Sequence, residues 1–339
     1  MASRNSAASI ALGSCDLFLA ITGFQDGMYR DMHPFRPLKK PSHNAYMDKT
    51  PKQVVSIDAA LKPWLTLYGT SRLSKLFQQM PHMQDIVVLH AVIVGRVDLL
   101  QWFHACLPDR FWAFPDPLLD VAAAHGQLAA LEYLHTIGHP GCTRNAMDWA
   151  AFHGHLHVVQ FLHAYRSEGA TTKAMDAAAM NGHLPVVEFL HASRAEGCTA
   201  DAMTEAAWNG HLDVVSFLHT HRTEGCSVWT IDRAAWTGRL AVVRFLHEAR
   251  GEKWTTQAMD MAAWNAHLNV LWYLHTRQGG AGCTANALNF AAMKGHMGVV
   301  RFLVEHRTEG DLRSAMNEAH QRRQTDIADY LAAKLDESK

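Results

Sequence analysis

The 339-residue sequence predicts an all-α solenoid of about nine stacked helical hairpins, and three observations carry that prediction. The first is a period. Glycines fall at Gly95, Gly126, Gly154, Gly182, Gly210 and Gly238, then Ala266 takes the place, then Gly295, at intervals of 31, 28, 28, 28, 28, 28 and 29 residues. The second is an alanine pair just ahead of each of these positions, from Ala122-Ala123 through Ala150-Ala151, Ala178-Ala179, Ala206-Ala207, Ala234-Ala235 and Ala262-Ala263 to Ala291-Ala292. The third is a ninth, degenerate copy around Arg323, where RQTDIADYL echoes GHLPVVEFL. A fixed period in this range marks small helical units that must stack to bury an apolar face.

In chain order, residues 1–24 hold an apolar run, Ile10 to Ile21, interrupted by Asp16. It is too short to span a membrane and lacks the charge and cleavage pattern of a signal peptide. Residues 25–56 carry Pro34, Pro37, Pro41 and Pro51 among Arg36, Lys39 and Lys40 without periodicity, so they read as a linker or mobile arm. Residues 1–60 are thus expected to form a partly flexible extension. From Leu61 to Gln79 the pattern is helical, and 61–82 is expected to be a capping region. Its helix around Arg72–Met80 would cover the most apolar hairpin, whose first strand of sequence is IVVLHAVIVG. The solenoid then spans 83–335, and 336–339 is a tail. Arg322, Arg323, Gln324, Asp326 and Asp329 make the ninth unit polar, as a terminal repeat needs to be.

The unit at residues 171–197 shows the physics of them all. Thr171 precedes a run of helix formers and reads as an N-cap, with Thr143, Thr199, Ser227, Thr255 and Thr284 in the same place elsewhere. Met175, Ala178 and Ala179 share one face of the first helix, and the small alanine pair lets a neighbouring helix approach closely. Gly182 ends this helix as a left-handed C′ residue. Pro185 sits in the first turn of the second helix, where proline is tolerated. Leu184, Val187 and His191 are expected to form one buried row beside Val186, Phe189 and Leu190, and Gly197 closes the unit.

The recurring string AA-x-x-GHL-x-VV-x-FL resembles the ankyrin repeat over about residues 83–335. Three departures are visible. The repeat is 28 residues long where ~33 is usual. The T-P-L-H opening is replaced by A-M-D-x, as at Ala146-Met147-Asp148 and Ala174-Met175-Asp176. The gap from Gly197 to Thr199 leaves no room for the β-hairpin fingers, which are therefore expected to be largely absent. With its R-x-E-G-C-T linkers, this variant is similar to the short-repeat ankyrin families of oomycetes. The resemblance implies protein binding without enzymatic activity. The letters Leu17-Phe18-Leu19-Ala20 also resemble part of an oomycete effector export motif, without its flanking leucine and final lysine.

Chemistry-bearing residues follow the repeat too. Of six cysteines, Cys142, Cys198, Cys226 and Cys283 share one position just before the N-cap. Copies one helix spacing apart, ~8–10 Å, exceed the ~7 Å reach of a disulfide, so free thiols in a reducing, cytoplasmic setting are expected. Histidines recur at His104, His135, His163, His191, His219, His247 and His275, and again at His155, His183, His211, His267 and His296. Successive rungs are too far apart to share a zinc ion, whose bonds are ~2.0–2.1 Å, and neither metal nor cofactor is expected. Asp120, Asp148, Asp176, Asp232 and Asp260 are read as hydrogen-bond acceptors between repeats, and the Arg-x-Glu pairs as a solvated edge. No nucleophile elbow or phosphate loop appears, which argues against an enzyme. Lys+Arg 31 against Asp+Glu 32 leaves a net charge of -1, so no field draws the chain to nucleic acid or to a membrane.

The positions that the repeat does not fix share one face of the first helices. They read Trp149 and Phe152; Lys173 and Met180; Asp201, Glu205 and Trp208; Trp229, Arg233 and Trp236; Gln257, Met261 and Trp264; Phe290 and Met293. In ankyrin proteins the corresponding helix lines the concave groove, which makes these the candidate partner-binding residues, although the same large side chains could instead shield the Ala-Ala seam. Trp208, Trp236 and Trp264 are expected to stand about ~8–10 Å apart, with polarity running from acidic at Asp201 and Glu205 to basic at Arg233. The function expected is that of a monomeric scaffold or adaptor for a protein or peptide. Alternatives are a secreted effector aimed at a host protein, or the substrate-binding subunit of a ubiquitin-ligase-type complex.

Overall fold

The structure is a computed structural model in which residues 29–40, 52–277 and 280–337 are described. The apolar run of 10–21, the export-like letters of 17–20 and Cys15 lie outside them. Among the described residues there are helices and turns but no strands, and no helix long and apolar enough to cross a membrane. Two compact units are present: one within Met1–Ala150 and Gln160–Gly169, the other Ala151–Val159 and Ala170–Lys339.

The first unit begins with a 3-10 turn, Arg30–Phe35, and helices α1 (Lys52–Tyr68) and α2 (Leu73–Gln79). It continues with the hairpin α3 (Met83–Ile93) and α4 (Val97–Cys106), the short α5 (Pro108–Trp112), and the hairpin α6 (Leu118–Ala124) and α7 (Leu128–Thr136). The longer first interval in the sequence is the space that α5 occupies. The segment expected to be a mobile arm is partly docked. Met32 and Phe35 are fully buried, the Trp64 indole N–H donates to Asp31 at 2.8 Å, and Arg72 pairs with the same carboxylate at 3.2 Å. Proline content disguised two anchors that alternate with polar residues over a single turn. Helix α1 also starts at Lys52, ahead of the expected Leu61, because Val54 and Ile57 are core residues.

Helices α8 (Arg144–Phe152) and α9 (Leu156–Tyr165) contribute to both units. The second unit then runs through five full hairpins: α10 (Thr172–Met180) with α11 (Leu184–Ser193), α12 (Ala200–Asn209) with α13 (Leu212–His221), α14 (Thr230–Trp236) with α15 (Leu240–Glu248), α16 (Thr256–Trp264) with α17 (Leu268–Thr276), and α18 (Ala285–Lys294) with α19 (Met297–His306). The terminal pair is α20 (Leu312–Gln321) and α21 (Thr325–Glu337). From α10 onward in the second unit, the first helices stack on one another as one layer and the second helices as another.

Within a repeat the sequence logic holds. The Thr171 hydroxyl accepts the Lys173 backbone N–H at 3.2 Å, and Thr199, Thr255 and Thr284 cap their helices in the same way. Ala178 and Ala179 are fully buried. The expected row of Leu184, Val187 and His191 is corrected: Val187 is buried, whereas Leu184 and His191 are half-exposed. The core side of α11 is Val186, Val187 and Leu190. The buried arc is therefore rotated toward the neighbouring hairpins, leaving the histidine at its rim.

Between repeats, polar side chains do the stitching. Asp120 accepts both the backbone N–H and the hydroxyl of Thr143, at 2.8 and 2.6 Å. Asp176 with Thr199, Asp232 with Thr255 and Asp260 with Thr284 repeat this pair of bonds. Each aspartate thereby satisfies the cap of the next helix, and burial raises the pKa of all four carboxyls. Where Thr204 replaces the aspartate, its hydroxyl accepts the Ser227 N–H at 3.1 Å. The glycines have a second task besides their turn. Gly182 has φ +75°, and a β-carbon there would overlap the imidazole of His211 in the next repeat. Ala266 holds the same turn at φ 62°.

Candidate interaction surface

The side chains singled out on the first helices are not equivalent in the structure. Trp208 is half-buried: the Arg233 guanidinium lies over its ring at 4.6 Å, and Trp236 meets it edge-on, ring centroids 5.0 Å apart at 79°. Trp264 repeats the arrangement, with the Lys294 ammonium 4.4 Å over its ring and Phe290 edge-on at 4.8 Å. The expected ladder of indoles at the helix spacing is therefore corrected. Trp208 and Trp236 lean together, because a T-shaped contact gains from the ring quadrupoles and long side chains can span the gap between helices. The expected change of charge along the stripe is corrected as well, since Arg233 pairs with Glu205 at 2.8 Å and each cancels the other.

The positions of the indoles are fixed from the backbone. Asn209 donates to the Met180 carbonyl at 3.0 Å, Thr237 to that of Trp208 at 2.8 Å, Asn265 to that of Trp236 at 3.0 Å, and a His296 ring nitrogen lies 3.0 Å from that of Trp264. These four first helices thus have their last turns bonded to the next repeat.

What the seam does not absorb lies on α14. Trp229 is 49% exposed and Trp236 41%, and Val228 beside them is 74% exposed. Trp229 is the N-cap residue of this helix, and Trp229, Arg233 and Trp236 step by 4 and 3 onto one side of it. Asp201 is exposed on the neighbouring α12, while Met180, Phe290 and Met293 are half-buried. Phe152 is half-buried and packs edge-on against His153, centroids 4.9 Å apart. Trp149, in the first unit, is also half-buried. Sequence reading missed Val228 and Trp272, the latter 43% exposed on α17. The signal was present: Ala200 and Thr256 stand where Val228 does, and Glu188 and Arg244 where Trp272 does.

The Arg-x-Glu pairs are clamps rather than a solvated edge. Arg194 binds Glu196 bidentately, and Glu196 also accepts the Ala170 N–H at 3.2 Å; the Arg194 hydrogen bond holds the Glu196 pKa down to about 2. Next to such clamps lie the repeat cysteines. Burial, with Glu168 and Glu224 adding to it, pushes Cys142 up to about 12 and Cys198 to about 11. The thiols are free and protonated, packing as small apolar groups. Among the described residues no cluster of three or more His, Cys, Asp or Glu could hold a metal ion.

On the opposite layer, each of several histidines stands edge-on to a phenylalanine of the following hairpin: His135 to Phe161, His191 to Phe217, His219 to Phe245 and His275 to Phe302, all 5.5–5.6 Å apart. Burial lowers the pKa of His275, aided by Arg307 and His306, and burial likewise lowers that of His267 near Arg239 and His296. A histidine whose folded pKa is depressed takes up its proton more readily when unfolded. Its stabilising contribution is therefore full above the unfolded value of about 6.5 and lost as pH falls through the folded pKa. The thermal midpoint is expected to drop between pH 7.5 and 5, and less steeply in a His267→Gln/His275→Gln variant. Parallel pH profiles for the two proteins would show that neither imidazole is desolvated.

Stacked hairpins with an alanine seam define a helical repeat protein. The chain belongs to the ankyrin-repeat family. A family model for ankyrin repeats (many copies) matches residues 119–163 and 175–219, and one for ankyrin repeats (3 copies) matches 258–339. Comparison with curated proteins gives no match. Ankyrin repeats are in general non-catalytic protein–protein interaction modules.

Proposed function

We propose that this chain is a monomeric scaffold or adaptor that binds a protein or peptide on the first-helix face of its second unit, with α14 at the centre. The exposure of Trp229 and Trp236 on one face of one helix carries this reading. Tryptophan and arginine dominate interface hot spots. The pair is about 10 Å apart along the helix axis at 1.5 Å per residue, a span that suits two anchors of one ligand segment. Asp201 on one side supplies an unneutralised charge, and Glu205 with Arg233 hold Trp208 against Trp236 from below. Catalysis has no part in this reading.

Two truncations separate binding from packing. Trp236→Ala is expected to weaken the partner complex by about 2 kcal/mol or more, while the free protein loses only the T-shaped contact to Trp208, about 0.5–1.5 kcal/mol. Trp208→Ala removes both a T-shaped pair and a cation–π contact, and is expected to cost about 1–3 kcal/mol of stability. Affinity capture with wild-type and Trp236→Ala protein, identified by mass spectrometry and followed by titration of the captured partner, gives the first number. If Trp236→Ala keeps the partner and loses about 3 kcal/mol or more of stability, the cost of truncating a buried aromatic, the indole seals the seam and the proposed face is wrong.

A further inference from the structure

One seam of the stack is less completely filled than its counterparts. In each repeat, the residue before the N-cap, the N-cap itself and the fourth residue of the first helix face a leucine of the second helix and the Arg-x-Glu-Gly clamp. At Cys142, Thr143, Met147, Leu162, Arg166, Glu168 and Gly169 this space is closed, and at Ala170, Thr171, Met175, Leu190, Arg194, Glu196 and Gly197 it is ≈ 10 Å³. The equivalent place at the last linker, lined chiefly by Cys283, Leu288, Leu303, Val304, Arg307 and Leu312, is a cavity of ≈ 240 Å³.

Three sequence differences converge there. Leu288 stands where Met147, Met175, Met203 and Met259 stand in other repeats, and so lacks the long flexible thioether that fills irregular gaps. Val304 replaces the ladder histidine of His191 and His275, removing a ring. Leu312 takes the column of the N-cap threonines, such as Thr199 and Thr284, and the cap moves back one residue to Asp311, so the helix starts one residue earlier at unchanged repeat length. One substitution would be ordinary drift in packing. Three at one point produce a space larger than the ~150 Å³ apolar cavity that accepts benzene.

The walls define the ligand. Leu288 and Leu303 are buried, and Val304 and Leu312 add apolar surface. The Arg307 charge is already bound by Glu309, so nothing in the lining calls for an anion. We infer that this seam is a binding site for a small, uncharged, apolar molecule of the size of a substituted benzene. Entry lies past Thr308, which is exposed, and the half-exposed Gly310 and Leu312. Such a ligand would hold the last two repeats together, stabilising the end of the stack independently of the α14 face. The Cys283 thiol, kept protonated by burial, adds a soft neutral contact.

The test uses the full chain and toluene as probe, read by saturation-transfer NMR and by calorimetric melting. Toluene is expected to receive saturation and to raise the midpoint of the melt by about 2 °C near its solubility limit, with sodium benzoate doing neither. A variant that restores what other repeats carry, Leu288→Met/Val304→His/Leu312→Thr, is expected to fold with wild-type circular dichroism and to lose both signals. No saturation of toluene by the wild-type chain would overturn the proposal. So would equal signals from the filled variant, which would place the toluene elsewhere, or binding of benzoate as strong as that of toluene.

Discussion

A peptide covering residues 171–197 is expected to be unfolded in water. Its helices are 9 and 10 residues long, below the ~12–15 residues at which an isolated helix becomes even marginal. The residues that would stabilise them face away from one another toward neighbouring repeats. Ala174, Met175, Ala178 and Ala179 are buried in a layer that α10 shares with α12. Asp176 has its hydrogen-bond partners at Thr199, and Gly182 meets His211, both beyond the end of the peptide. Circular dichroism should show a largely disordered chain, and fragments of several adjoining hairpins should gain helix and melt more sharply as repeats are added. A peptide of this one hairpin that melts cooperatively would overturn the stacking argument.

Gly182→Val is expected to be among the most damaging single changes outside the apolar core, costing about 3 kcal/mol. Holding a residue with a β-carbon in the left-handed region costs about 1–2 kcal/mol, and forcing volume against a packed ring adds about 1–3 kcal/mol. Gly182 incurs both, since its φ is +75° and the His211 imidazole occupies the space of the new side chain. Ala266 shows the lesser case, with φ 62° tolerated at an equivalent turn. Ala266→Gly is therefore expected to shift stability the other way, by up to about 1 kcal/mol. Urea titration of the three proteins measures this order. A Gly182→Val midpoint equal to wild type would mean that the turn opens without consequence and that the imidazole does not seat on the glycine.

Much of the candidate surface was legible because the repeat supplies its own controls. With the framework residues held constant, any side chain that departs from its column stands out, and Trp229 and Trp236 were found in this way. The same comparison placed Trp208 and Trp264 in the same class, but the structure separates them. Arg233 and Lys294 come from the following helix in each case, and whether a cation folds down over a ring or extends into water depends on distances that no linear spacing encodes. The column rule also passed over Val228 and Trp272, which depart from their columns at positions not searched.

The N-terminal segment shows the reverse limit. Proline and basic residues without periodicity suggested an arm, yet Met32 and Phe35 are as buried as any residue in the stack. A single 3-10 turn is too short to generate a period, so its anchoring depends entirely on what Trp64 and Arg72 offer from another element.

By itself, the sequence determined the hairpin count, the threonine caps, the alanine seam and the aspartates that bridge repeats, but not the cap of α14, expected at Ser227 and found at Trp229 without a side-chain bond. All of these are local or one repeat apart, and a 28-residue period fixes which residues meet. Tertiary structure decided what the period leaves free: that Glu205 neutralises Arg233, that Trp208 is covered while Trp229 and Trp236 are not, and that the Arg-x-Glu pairs close over the linkers. It also decided that three modest differences at Leu288, Val304 and Leu312 coincide in space. Side chains with several rotatable bonds choose among neighbours by distance and solvent access, and those are properties of the packed stack alone.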